Sequence, residues 1–150
     1  MSMIILQTGM IELEKELFGT TQENWSLRLY KSSHAPAVTD TLSTYTAIEA
    51  TFTGYSAITL TRTVSGTTWA VSASASGTTI NAAGNAIATY HSGTPQVFSS
   101  TSVQTVYGYF WSGITSAVGI CAEQFASSIG LTNPSTLNIT PVLELGATGG

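Results

Sequence analysis

From Trp25 to Leu145 the chain consists of short runs in which apolar and polar residues alternate, cut about every dozen residues by glycine, proline, serine or asparagine. A period of two is the mark of strands that bury one face, and cuts at that spacing are the turns between them. In WSLRLYK, Trp25, Leu27 and Leu29 face inward and Ser26, Arg28 and Tyr30 outward. Residues 49–60, EATFTGYSAITL, combine β-branched and aromatic residues with one interrupting glycine, Gly54, and Thr44 to Ile48 lead into them. The strand from Ile58 to Val64 turns at Ser65-Gly66 into a run with Trp69, Val71 and Ala73 on one face. Turns at Gly77, at Gly84-Asn85 and over 92–95 deliver AIATYHS and QVFSS.

VQTVYGYFWS is apolar on both faces, with Tyr107, Tyr109 and Trp111 on one and Val106 and Phe110 on the other. Such a strand is central or covered by another chain. Residues 117–125 read as its hairpin partner across Ser112-Gly113. In TLNITPVLEL, Leu137, Ile139, Pro141, Leu143 and Leu145 share one parity, and proline, having no N–H for the ladder, places that strand at an edge or bends it. The pattern predicts an all-β, jelly-roll-like antiparallel sandwich of about eight strands.

Only residues 8–18, TGMIELEKELF, have helical spacing. Met10, Leu13 and Leu17 form a stripe with Phe18 beside it. Thr8 is the expected N-cap, the glutamates lie near the positive end, and Gly19 stops the helix. Three turns are marginal alone, so this helix must dock on its own sheet or a neighbouring subunit. The expected division is an N-terminal arm or helix over 1–20, a β-sandwich over 21–146 and a flexible tail over 147–150.

Charged residues make up 8% of the chain and hydrophobic ones 43%, so hydroxyls must keep the surface wet; roughly three residues in ten are serine or threonine. With net charge −4 and only Lys15, Arg28, Lys31 and Arg62 as cations, no nucleic-acid partner is expected. The apolar patch at Met3 to Leu6 is too short to span a membrane or to lead secretion, so the chain is expected to be made in a cytoplasm.

Catalytic chemistry is sparse. Cys121, the single cysteine, lies in the apolar run AVGICAEQF and reads as a buried hydrophobe. His34 and His91 have no second ligand at metal spacing, so neither metal nor cofactor is expected. No nucleophile elbow or phosphate loop occurs, and Glu49 and Glu123 read as lone carboxylates, solvated or paired with an arginine such as Arg62, rather than a glycosidase pair. No enzyme is expected. The aromatic set Tyr55, Trp69, Tyr90, Tyr107, Tyr109 and Trp111 could form a glycan platform, but aromatics on strict strand parity fit a core or subunit interface better.

Three segments carry a resemblance: residues 26–61, the strand TVYGYFW (105–111), and CAEQF (121–125) leading to TLNITPVLEL. Together they resemble a family of small tailed-bacteriophage and prophage virion proteins. The family pattern is a short helix ending in glycine, L-x-L-Y-x-N with a proline loop, F-T-G-Y, V-Y-G-Y-F and A-E-x-F. Ser32-Ser33 stands where the asparagine is usual. The resemblance implies a head decoration (cement) protein, a homotrimer on the capsid surface whose partner is the major capsid protein. It leaves a tail-fibre glycan binder as the alternative. On this reading Ile4, Leu6, Met10, Leu13, Leu17 and Phe18 contribute to docking, and Tyr107, Tyr109 and Trp111 to the sheet core or subunit interface.

Overall fold

The two-faced apolar run becomes the middle strand of a five-stranded antiparallel sheet. The structure, a computed structural model, describes residues 3–18, 22–62, 69–71, 86–90 and 94–145. The sheet runs β1 (Ile4–Ile5), β8 (Gly119–Leu131), β7 (Gln104–Gly113), β2 (Trp25–Tyr30), β3 (Ile58–Leu60). Register alone explains its core. Ile58, Leu27, Trp111, Cys121 and Ile5 stand side by side across all five strands, and the next row, Arg28, Phe110, Ala122 and Ile4, points to the opposite face.

Both faces are covered. On one, Trp25 stacks on Trp111 with ring centroids 5.7 Å apart, and Leu27, Leu29 and Cys121 are fully buried. On the other, Tyr30, Phe110 and Ala122 close a cluster with Leu6 and with Tyr45 of α2 (Leu42–Thr46). Ser26 and Tyr30, expected to face outward, are therefore buried too, because helices lie where solvent was expected.

Gly108 is the crossing point of this layer. The Tyr30 hydroxyl passes over it to the carbonyls of Glu123 (3.1 Å) and His34 (3.2 Å), and a Cβ at Gly108 would collide with that hydroxyl and with the Glu123 carbonyl. The glycine of V-Y-G-Y-F is thus a packing requirement.

β7 and β8 pair as expected, but the hairpin closes over 114–117 rather than at Ser112-Gly113, with the Gly113 amide donating to Val118 O at 2.9 Å. Between Val106 and Gly108 the partner jumps from Ile129 to Gln124, so β8 bulges over 125–128.

The chain forms two compact units. One comprises Met1–Thr61 and Val97–Leu137, the other Arg62–Gln96 and Asn138–Gly150. The first contains the five-stranded sheet, and β6 (Gln96–Ser100) and β9 (Ser135–Ile139), mostly within it, pair as a two-stranded sheet. The second contains an antiparallel sheet in the order β10 (Val142–Leu145), β5 (Ala86–Tyr90), β4 (Trp69–Val71). The last alternating segment splits at Thr140-Pro141 into β9 and β10, while Leu137, Ile139, Pro141 and Leu143 keep the predicted buried parity. Ten strands and two helices among the described residues make the fold all-β. The expected turns at Ser65-Gly66, Gly77 and Gly84-Asn85, His91 and the tail over 147–150 lie outside the described residues.

Residues 49–60 do not form one strand. Only Ile58–Leu60 does, at the sheet edge; Glu49 makes an isolated bridge to Tyr30, and the chain turns at Thr53-Gly54. Phe52 and Tyr55 pack edge to face at 5.1 Å, and Tyr55 stacks on Phe98 at 6.0 Å. These aromatics close a turn instead of lining a strand.

Candidate functional site

The first helix, α1 (Gln7–Phe18), is the element whose placement bears on function. It is no free arm. Ile4 and Ile5 pair with Ala122 and Cys121, the Leu6 amide donates to Ile120 O at 2.9 Å, and the Gln7 amide donates to Val38 O at 2.8 Å. Gly9 then lets the helix lie directly on β8, since a Cβ there would occupy the place of the Ile120 carbonyl. Thr8 sits inside the first turn, where its hydroxyl donates to Gly119 O at 2.9 Å instead of capping the helix. The first turn carries no acid, and Glu16, on the same side as Gly9, is 7% exposed.

This seating divides the expected stripe. The helix meets its sheet at Gly9, with Leu13 half-buried, and Met10, Ile11 and Phe18 lie on the open side. Met10 is 45% exposed, Ile11 51% and Phe18 86%. Of the residues expected to dock, Leu6 is fully buried inside its own chain, Ile4 and Leu13 are half-buried, and the Leu17 side chain lies outside the described residues. Trp111 and Tyr109 are sheet core, and Tyr107 is half-buried against the Tyr30–Phe110 cluster. Ile11 and Val38 (54% exposed) were missed. The i, i+7 spacing of Ile11 and Phe18 was the available signal for one; Val38, reached only through its bond to Gln7, gave none.

Three polar networks surround this layer, and each spends a carboxylate on holding a loop. Asp40 Oδ2 is bonded to His34 Nε2 (2.8 Å) and accepts from the Ala37 amide (2.8 Å) and the Tyr45 hydroxyl (2.9 Å). Burial pushes its pKa up, but these bonds outweigh burial and hold it below the ordinary value. Glu49 accepts from Tyr55 OH (2.7 Å) and pairs with an arginine, as expected, here Arg28 (3.2 Å). The Tyr55 hydroxyl also accepts the Leu29 amide at 3.2 Å, tying the turn to β2.

Glu23 accepts from the amides of Thr115 (2.6 Å) and Ser116 (2.9 Å) and from the Ser116 hydroxyl, latching the β7–β8 turn. Burial again acts to raise its pKa, and the donors from Ser116 and Thr115 more than offset it. A polar cleft of about 450 Å³ opens beside it, lined by Glu12, Gln22, Glu23, Asn24, Thr115 and Ser116. Deeper in, Tyr109 OH donates to Glu123 Oε2 at 2.5 Å, and burial raises the pKa of Tyr109, Tyr30, Tyr45 and Cys121.

Chemically, these carboxylates act as acceptors for the protein's own donors. What the layer offers outward is an apolar helix face.

No family model, curated protein or solved structure matches the chain. The functional reading therefore rests on this geometry and on the motifs of the sequence.

Proposed function

We propose that this chain is a non-enzymatic virion subunit of a tailed bacteriophage, a head decoration (cement) protein that binds the assembled shell. The observation that carries the proposal is the outward face of α1. A helix that leaves Met10, Ile11 and Phe18 exposed, on a sheet already covered on both faces, is built to meet another chain. The charge-poor, hydroxyl-rich sequence and the family motifs support the same role. Shells gain stability from many copies of modest contacts, so one helix face per subunit suffices. With this role we also propose the jelly-roll-like strand arrangement and the homotrimer that the resemblance implies.

The alternative, a tail-fibre module that binds host glycan, needs aromatic rings at the surface. Among the described members of the aromatic set, Tyr109 and Trp111 are buried, and Tyr107 and Tyr55, the latter in a stack with Phe98, are half-buried, which favours the shell. The side chains of Trp69 and Tyr90 lie outside the described residues.

Quantitative mass spectrometry of purified particles tests the proposal. Copies comparable with the major capsid protein are expected. A handful per particle would favour the tail, and absence from the particle would reject both readings.

A further inference from the structure

Gln7, Met10, Ile11, Glu14 and Phe18 are all exposed and recur at i, i+3, i+4, i+7 and i+11, which is one face of a helix. Val38 stands at the start of this stripe through the Gln7–Val38 bond. Met10, Ile11, Phe18 and Val38 are four of the seven exposed large hydrophobics among the described residues. Such clustering marks a contact surface, whereas scattered exposed residues would not.

Charge decides what the stripe can meet. Glu14 lies in its middle with no hydrogen bond or ion pair among the described residues. The nearest cation in sequence, Lys15, is bonded to Glu12 at 3.2 Å. Arg28 is taken by Glu49, Lys31 donates to Thr51 Oγ1 at 2.9 Å, and Arg62 is half-buried in the second unit. A second copy meeting the stripe with its own stripe would bring a second Glu14 carboxylate and no cation of the stripe into a water-poor contact, which is unfavourable.

We infer that α1 docks, helix in groove, into a different polypeptide whose apolar groove takes Met10, Ile11 and Phe18 and carries a lysine or arginine at its rim opposite Glu14. This rests on the shell-subunit reading, which makes that polypeptide the major shell protein.

The test places a photo-reactive benzoyl-phenylalanine at position 11, and separately at position 18, in the full chain during particle production. Crosslinked peptides are then identified by mass spectrometry. Crosslinks to the major shell protein, beside a basic residue, are expected. Phe18→Asp should lower incorporation by about tenfold or more, because one large apolar contact is lost and a charge is buried. Glu14→Lys should lower it as well, while Glu14→Gln should flatten the dependence of incorporation on salt. All three positions are exposed, and unchanged melting of the free protein separates docking from folding. Crosslinks between copies of this chain, or unchanged incorporation of Phe18→Asp, would overturn the inference with the shell reading intact. Absence of the wild-type protein from particles would remove the shell reading itself.

Discussion

Two apolar surfaces of this protein differ in what closes them. Around Trp111, the chain supplies every neighbour: Trp25 stacks on it, and Leu27 and Cys121 flank it in register. Along the outer side of α1, residues of similar size and hydrophobicity stay open to solvent, Met10 and Ile11 by about half and Phe18 almost wholly. The difference is not composition. It is set by Gly9, which brings the helix backbone so close to β8 that the side carrying Gly9 must face inward. A glycine in a helix thereby decides which side chains remain for a partner.

Replacing Trp111 by alanine should break the closed surface most severely. Its side chain is fully buried and stacked, so a loss of about 3–5 kcal/mol is expected in denaturant unfolding. A loss under about 1 kcal/mol would mean that the site collapses without it, and that this surface is less closed than its burial indicates. Leu6→Ala comes next, at about 2–4 kcal/mol, although Leu6 belongs to the segment first expected to reach outward. Deleting residues 1–18 would accordingly strip the sheet of an edge strand and a core side chain, and could not leave the five-stranded sheet intact.

Gly108→Ala probes the closed surface from its polar side. The added methyl displaces the Tyr30 hydroxyl from the Glu123 carbonyl, and overpacking of this kind costs about 1–3 kcal/mol. Adding Tyr30→Phe to Gly108→Ala should cost less than the sum of the two single changes, since both remove the same bond. Full additivity in thermal or urea unfolding would show that the methyl clashes with the Glu123 backbone alone.

The sequence made the closed surface far easier to read than the open one. The two-faced run of β7, its pairing with β8, the span of α1 and the parity from Leu137 to Leu143 follow from periodicity, because register and burial act on neighbouring residues. Residues 41–46 resisted this reading. TLSTYT is rich in threonine, a poor helix former, yet α2 forms because Tyr45 is drawn onto Phe110 at 5.2 Å and Thr44 accepts the Thr41 amide. Residues 49–60 misled for the converse reason. Their aromatic content suits a strand, but Tyr55 finds Phe98, Glu49 and the Leu29 amide across long sequence separations. The face of α1 was hidden in the same way, since a glycine gives no hydrophobic signal for the side it buries.

The smallest effect is the most informative about the open surface. Phe18→Ser removes a large apolar side chain, and in a core that would cost several kcal/mol. Here the ring is 86% exposed, so unfolding of the isolated protein should change by no more than about 0.5 kcal/mol. On the proposed role, the same substitution should markedly reduce association with the shell. A residue silent in folding but decisive in assembly is what an outward helix face implies. If Phe18→Ser destabilises the free chain as Leu6→Ala does, the ring is part of the protein's own core, and the contrast between the two surfaces disappears.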